Sequence, residues 1–172
     1  MTEKNSTVES TKNEFSITRV FNAPRELVFK AFTQAEHLVH WWGPKGFKLT
    51  VNKLDFKPDG IFHYCMEAAN GNQMWGKFIY REIVAPEKIV FTNSFSDKEG
   101  NIIRAPFSEI WPLEILNIWT LSENEGKTTV ILKGNPINAT PEEIKTFEAG
   151  YASMQQGFKG TFDQLEEYLV KM

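Results

Sequence analysis

The chain has 172 residues, of which 41% are hydrophobic and 24% are charged. This composition is typical of one globular domain and argues against a membrane-spanning or wholly disordered chain. The net charge is −3 and the lysines are scattered, so the sequence predicts no nucleic-acid partner and no anionic membrane partner. The single cysteine, Cys65, allows no internal disulfide, and a cytoplasmic location is predicted.

Residues 1–13 are polar and contain no apolar segment of the kind found in signal peptides. They are predicted to form a disordered N-terminal tail. Residues 14–172 are then predicted to form a single domain.

The first predicted strand covers residues 14–21, where large apolar residues alternate with smaller or polar ones. A helix is predicted to follow, because Pro24 suits a first helical turn. Thr33 and Glu36 fit a capping box for a second short helix, 34–42.

That second helix ends in Trp41, Trp42, Gly43 and Pro44. Adjacent helix positions differ by about 100°, so the two indoles cannot point the same way. Trp41 continues the apolar stripe of Leu38 and is predicted to lie in the core, with Trp42 at the rim of a cavity. In an alternative interpretation, both indoles are wedged structurally between helix and sheet.

Residues 47–134 are rich in β-branched and aromatic residues and are interrupted by short turn signals, which leave no room for crossover helices. An antiparallel meander is therefore predicted. Its strands lie within 47–56, 60–68, 73–84, 88–95, 113–121 and 127–134. Segment 101–112 is consistent either with a loop or with an extra strand turn over the sheet edge.

The C-terminal segment predicts one long helix. Thr140, Pro141 and Glu143 form an N-terminal capping signature. An apolar stripe then continues along a helix of roughly 28 residues. Its members are Phe147, Tyr151, Met154, Phe158, Phe162, Leu165 and Leu169. The glycines at 150, 157 and 160 have two possible explanations: close approach of another element, or open volume beside a cavity.

Together these elements predict an α+β fold in which a curved antiparallel sheet of about seven strands wraps around the C-terminal helix. Two short helices follow the first strand. A sheet around a helix can leave a cavity between them. Strand parity and the helix stripe predict a ligand-binding cavity lined by Trp41, Trp42, Phe62, Tyr64, Met66, Phe78, Phe91, Asn93, Phe95, Asn117, Trp119, Phe147, Tyr151, Met154 and Phe158.

Three segments, within 21–47, 75–95 and 146–169, resemble bacterial proteins related to the activator of Hsp90 ATPase. The most specific motif is APREL followed by WWGP. That family belongs to the START-like, or Bet v 1-like, superfamily, and the resemblance implies the helix-grip fold. The present chain resembles the C-terminal domain of the two-domain eukaryotic activator. Relatives in the superfamily bind lipids, polyketides and hormones, and no shared catalytic residues accompany the fold.

No catalytic, phosphate-binding or cofactor motif is recognised in the sequence, so no cofactor is predicted. His37 and His40 could share a helix face, but zinc needs more ligands, and they are predicted to be surface histidines rather than a metal site. The inward titratable groups are Tyr64, Tyr80 and Tyr151.

Three functional hypotheses follow from these observations. The first is a non-enzymatic module, a monomer or weak homodimer, that binds a hydrophobic or aromatic small molecule. The second is a regulator of a chaperone or of another protein partner. The third is a cyclase-like or hydrolase-like enzyme acting in the cavity.

Overall fold

The computed structural model describes residues 14–172, so the predicted tail lies outside the described residues. An antiparallel sheet of eight strands has the order β1-β8-β7-β5-β4-β3-β2, and the short β6 pairs with the end of β5. The strands are β1 (Phe15–Phe21), β2 (Lys48–Leu54), β3 (Ile61–Glu67), β4 (Gln73–Val84), β5 (Lys88–Ser96), β6 (Ile102–Ile103), β7 (Glu114–Asn124) and β8 (Lys127–Ile137). The predicted sheet is confirmed, and segment 101–112 contributes both a loop and a two-residue strand.

Within residues 14–172, four helices accompany the sheet: α1 (Arg25–Thr33), α2 (Ala35–Trp41), α3 (Pro141–Ala149) and α4 (Tyr151–Leu169). This arrangement is the predicted helix-grip fold. None of the helices within residues 14–172 is long and apolar enough to cross a membrane.

The two predicted capping boxes have opposite outcomes. At α3, the Thr140 hydroxyl accepts from the Glu143 amide, and the Glu143 carboxylate accepts from the Thr140 amide, as predicted. At α2 the prediction is wrong, because Gln34 occupies the N-cap without a side-chain bond. The Thr33 hydroxyl instead donates to the Phe29 carbonyl, 2.8 Å away, within the last turn of α1.

The predicted single C-terminal helix is also corrected, since Gly150 divides it into α3 and α4. Gly150 has φ −90° and ψ 1°, outside the α-helical region. A Cβ at this position would lie 3.2 Å from the Trp111 ring. Close approach by Trp111 therefore accounts for glycine here, a contact between segments far apart in sequence.

Neither predicted explanation accounts for the other two helix glycines, Gly157 and Gly160. A Cβ at Gly157 or Gly160 would meet nothing within 4 Å, and Gly157 lies on the exposed face of α4. No neighbouring element requires glycine at these positions.

The inner face of the sheet packs mainly against the C-terminal half of α4. Phe162 and Leu165 are fully buried in the larger hydrophobic core, next to Phe21 of β1. Nearer the N-terminus of α4, Met154 and Phe158 are only partly buried. The helix is therefore packed closely into the core at its C-terminal end, whereas its less buried N-terminal part contacts Phe15 of the edge strand β1.

We predict that Gly157→Ala raises the free energy of unfolding by about 1 kcal/mol, because alanine is a better helix former and its methyl group meets open space. Gly150→Ala is the matched comparison and should give no such gain, because its methyl group presses on Trp111. Urea unfolding followed by circular dichroism measures both variants. Equal gains would contradict the packing assigned to Gly150.

Candidate functional site

A cavity of about 550 Å³ lies between the inner face of the sheet and the α3–α4 segment. Its walls come from strands β1, β4, β5, β7 and β8, from α3 and α4, and from the loop between β6 and β7. Aromatic rings dominate these walls. A cavity of this size and character is within the range of sites that hold drug-sized ligands.

Most of the side chains predicted to line a cavity do line this one. They are Trp42, Phe78, Phe91, Asn93, Phe95, Asn117, Trp119, Phe147, Met154 and Phe158. Phe78 and Tyr80 of β4 are both buried on the inner side, and Trp75 lies on the outer side against His63. That these side chains contact a ligand remains a prediction.

Four of the predicted residues belong instead to the packed core beside the cavity. Trp41 is 1% exposed, and its indole donates to the Ala31 carbonyl, 2.9 Å away, between α1 and α2. Phe62 and Tyr64 are buried with Phe78 of the next strand between them and the cavity. Met66 packs near Gly43, at the end of the sheet covered by α2.

Tyr151 also lies outside the cavity wall, although it contacts two of the lining residues. It packs against Phe15 and Phe147 at centroid distances of 5.5 Å each, in a second, smaller core cluster. Its hydroxyl is buried without a hydrogen-bond partner in residues 14–172.

Trp42 lies where the packed core meets the cavity. Its ring lies 5.6 Å from that of Phe78, 5.8 Å from Trp119 and 6.2 Å from Phe158. The side chain is therefore held between the sheet and α4 and forms part of the inner wall, deeper than the predicted rim position.

The turn after Trp42 fixes its position. Gly43 has φ +102°, a conformation that favours glycine. The Gly43 carbonyl accepts hydrogen bonds from the Thr161 hydroxyl at 3.2 Å and from the Gln164 amide at 2.9 Å. These bonds tie the segment after α2 to the packed half of α4.

The loop between β6 and β7, residues 104–113, supplies two cavity-lining rings that the sequence analysis missed. Phe107 contacts Phe95 at 5.6 Å and Trp111 at 5.4 Å, and Trp111 contacts Phe147 at 5.4 Å. These rings form a chain from β5 to α3 across one side of the cavity. The presence of two aromatic residues in a loop could have indicated a buried or lining role. An irregular segment has no periodicity, however, from which to assign side chains to a face.

Arg104 fastens this loop to α3. Its Nη1 donates to the Glu143 carboxylate and, at 3.1 Å, to the Trp111 carbonyl. Hydrogen bonding from the Thr140 backbone amide, and then from Arg104, holds the pKa of Glu143 below its ordinary value. The same charged carboxylate therefore caps α3 and anchors the loop.

Further lining residues missed by the sequence analysis are Phe15, Ile115, Leu132, Lys133, Gly134, Gly150 and Ser153. Lys133 is the one charged residue of the wall. Its ammonium lies 3.9 Å from the Glu14 carboxylate.

Two amides provide the main polar group on the strand side of the cavity. The Asn117 Nδ2 donates to the Asn93 Oδ1 at 2.7 Å and to the Ile115 carbonyl at 3.1 Å. Buried amides need hydrogen-bond partners, and these two side chains provide part of that pairing for each other. Gly134 lies directly opposite Asn117 in the β7–β8 register.

The buried tyrosines do not form an acid–base site in the cavity. Burial raises the pKa of Tyr64 to about 12, and the nearby Trp42 indole opposes this shift only in part. Burial also raises the pKa of Tyr80. Neither residue lines the cavity, and both hydroxyls stay protonated at neutral pH.

The histidines take part in packing and hydrogen bonding. His37 Nδ1 lies 2.7 Å from the Tyr168 hydroxyl, and His40 stacks on the same ring. His63 is buried on the outer face of the sheet, with Nδ1 2.9 Å from the Asn52 amide and Nε2 3.0 Å from the Asp97 carbonyl. Within residues 14–172, no group of three His, Cys, Asp or Glu side chains is placed to hold a metal ion.

The model of the family described as activator of Hsp90 ATPase homolog 1-like protein matches residues 22–170. The chain belongs to this family. A search of curated proteins found no match.

Solved structures show the same fold. Protein Ms6760 from Mycobacterium smegmatis has a TM-score of 0.74 at 22% identity, with 91% of this chain and 90% of that chain covered. A protein from Staphylococcus epidermidis has a TM-score of 0.73 at 25% identity, with 92% and 90% covered. The AHSA1 protein from Silicibacter pomeroyi has a TM-score of 0.66 at 18% identity, with 91% and 97% covered.

We predict that Arg104→Gln speeds hydrogen exchange in the 104–113 loop without affecting β4 or β5, because the loop loses its ionic link to α3. Hydrogen–deuterium exchange with mass spectrometry measures this. Lys145→Gln removes a cation from the exposed face of α3 and is the control. Equal exchange in the wild type and Arg104→Gln would contradict the anchoring role.

The Arg104–Glu143 ion pair also makes hydrogen exchange in the 104–113 loop depend on pH. Because the pKa of Glu143 is lowered by folding, its stabilising contribution is complete above the ordinary Glu pKa of about 4.3. It is lost as the pH falls through the lower folded-state pKa. Loop exchange, corrected for the intrinsic pH effect, should therefore rise at acid pH in the wild type and change little in Arg104→Gln.

Proposed function

We propose that this protein is a non-enzymatic binding protein for a hydrophobic or aromatic small molecule, held in the cavity between the sheet and α4. The observation that carries this proposal is the open cavity of about 550 Å³ beside a fully packed core. The chain has large aromatic side chains at its wall, yet they surround the space and leave it open. Apolar walls with a few polar groups are typical of small-molecule sites.

The chemistry of the wall supports binding over catalysis. Among the lining residues, the one charged side chain is Lys133, whose ammonium lies near the Glu14 carboxylate. General acid–base catalysis needs a group within hydrogen-bond reach of the reacting atoms and with a pKa near the working pH. The tyrosines considered for the enzymatic hypothesis lie outside the wall. We therefore favour the binding function.

A second candidate function is regulation of a protein partner, for which a chaperone is suggested by the family description. The observation that favours it is the exposed apolar surface at the β6–β7 loop. Phe107 is 64% exposed, and Ile110 and Leu113 beside it are also exposed. Exposed apolar side chains that cluster commonly mark interaction sites. A cytoplasmic, monomeric or weakly dimeric protein fits both candidates.

N-Phenyl-1-naphthylamine, a neutral dye whose fluorescence rises in apolar surroundings, tests the binding proposal. The wild type should bind it saturably, with one site per chain. Ser153→Trp places a bulky ring at the cavity wall from the exposed side of α4. We expect the dissociation constant to rise about tenfold or more, corresponding to about 1.4 kcal/mol.

Ala152→Trp is the matched control, because the neighbouring position is equally exposed and does not line the cavity. It should leave dye binding unchanged. Equal weakening by both variants, or by neither, would place the dye elsewhere and contradict the proposal. Native mass spectrometry of the purified protein, beside a denatured sample, would identify any ligand that co-purifies.

A further inference from the structure

We infer that the Asn93–Asn117 amide pair, with Gly134 beside it, is the recognition site of the cavity for a neutral hydroxyl or carboxamide group on the ligand. This inference deepens the proposed binding function and rests on it. It adds the chemical class of the ligand: a largely apolar molecule that carries one uncharged group able both to donate and to accept hydrogen bonds.

The orientation of the two amides follows from a backbone carbonyl. The Ile115 carbonyl can only accept a hydrogen bond, so the Asn117 atom 3.1 Å from it must be the Nδ2 nitrogen. That same nitrogen lies 2.7 Å from Asn93, whose facing atom must then be its oxygen. Both hydrogens of the Asn117 amide are thereby used.

This arrangement leaves a donor and an acceptor available. The Asn93 Nδ2 and the Asn117 Oδ1 have no hydrogen-bond partner in residues 14–172, and neither belongs to the fully enclosed unpaired atoms of that region. Both residues line the cavity. The pair therefore presents two amide hydrogens from β5 and one carbonyl oxygen from β7.

The indole N–H groups of the wall, in contrast to the two amides, are not accessible to a ligand. Within residues 14–172, the Nε1 atoms of Trp42 and Trp119 also lack hydrogen-bond partners, but they are enclosed by surrounding atoms. A ligand in the cavity cannot reach them without displacing neighbouring rings. The accessible polar contact on the strand side is therefore the amide pair.

Gly134 keeps the Asn117 oxygen accessible. A Cβ at this position would lie 3.4 Å from Asn117 Oδ1 and 3.5 Å from the Ile115 side chain. The backbone of Gly134 is not in the left-handed region, so its conformation does not require glycine. The absence of a side chain leaves free volume beside the oxygen, on the strand directly opposite Asn117.

The charges around the cavity favour an uncharged ligand group. A carboxylate could accept from the Asn93 amide but would meet the Asn117 oxygen as a second acceptor. It would also lose hydration without gaining a cation, since Lys133 is paired with Glu14. A hydroxyl or carboxamide satisfies both the donor and the acceptor.

Displacement of N-phenyl-1-naphthylamine by three biphenyls tests the inference. The wild type should bind 4-phenylphenol about tenfold more tightly than 4-methylbiphenyl, which has nearly the same shape, and more tightly than 4-phenylbenzoate. Asn93→Leu should reduce the preference for the phenol, because the phenol loses an amide donor and 4-methylbiphenyl no longer covers an unsatisfied amide.

Gly134→Val is the second variant and should reduce the same preference by covering the Asn117 oxygen, without changing either amide. Asn135→Leu is the control for the Asn-to-Leu change, because Asn135 does not line the cavity and its amide donates to Glu14. Thermal melts by circular dichroism establish that each variant is folded. If Asn93→Leu does not fold, Gly134→Val decides.

The outcomes separate the two proposals. If 4-methylbiphenyl and 4-phenylphenol bind equally to the wild type, or if the preference survives in the folded variants, the recognition site is refuted and the apolar binding function stands. If neither compound displaces the dye and the dye does not bind saturably, the binding function fails, and the recognition site fails with it.

Discussion

The architecture depends on the way α4 is held, because the sheet contacts it closely along only part of its length. The Gly43 carbonyl accepts from Thr161 and Gln164, and Phe162 fills the core beneath them. Toward its N-terminus, α4 presents Met154 and Phe158 to open volume instead. The cavity is therefore a consequence of one-sided anchoring, and Trp42 marks the boundary between the packed and the open parts.

The open end is stabilised by contacts that do not fill it. Trp111 packs against Phe147 and against the backbone at Gly150, where the C-terminal segment changes from α3 to α4. The Arg104–Glu143 ion pair holds the 104–113 loop to the start of α3. Because the carboxylate of that pair also caps α3, loop and helix are coupled at one side chain. Together these contacts form the wall of the cavity on the side of the loop and α3.

The sheet, the α3 capping box and most cavity-lining residues could be predicted from sequence, because strand parity assigns faces reliably. Parity does not give position along the sheet, however. Phe62 and Tyr64 share the inner face with Phe78, but they are buried in the packed core beside it. The helix break at Gly150 and the loop rings Phe107 and Trp111 depend on contacts between distant segments. Propensity and periodicity, which are local, contain no information on such contacts.

Selectivity in such a cavity comes more from penalties than from gains. An apolar ligand that covers Asn93 and Asn117 displaces water from an amide donor and an amide oxygen and offers no replacement. Each unsatisfied polar group costs roughly 1–3 kcal/mol, whereas a satisfied hydrogen bond returns a net gain of only about 1 kcal/mol. In the proposed binding function, the aromatic walls would therefore supply affinity for many ring systems, and the two amides would decide among them.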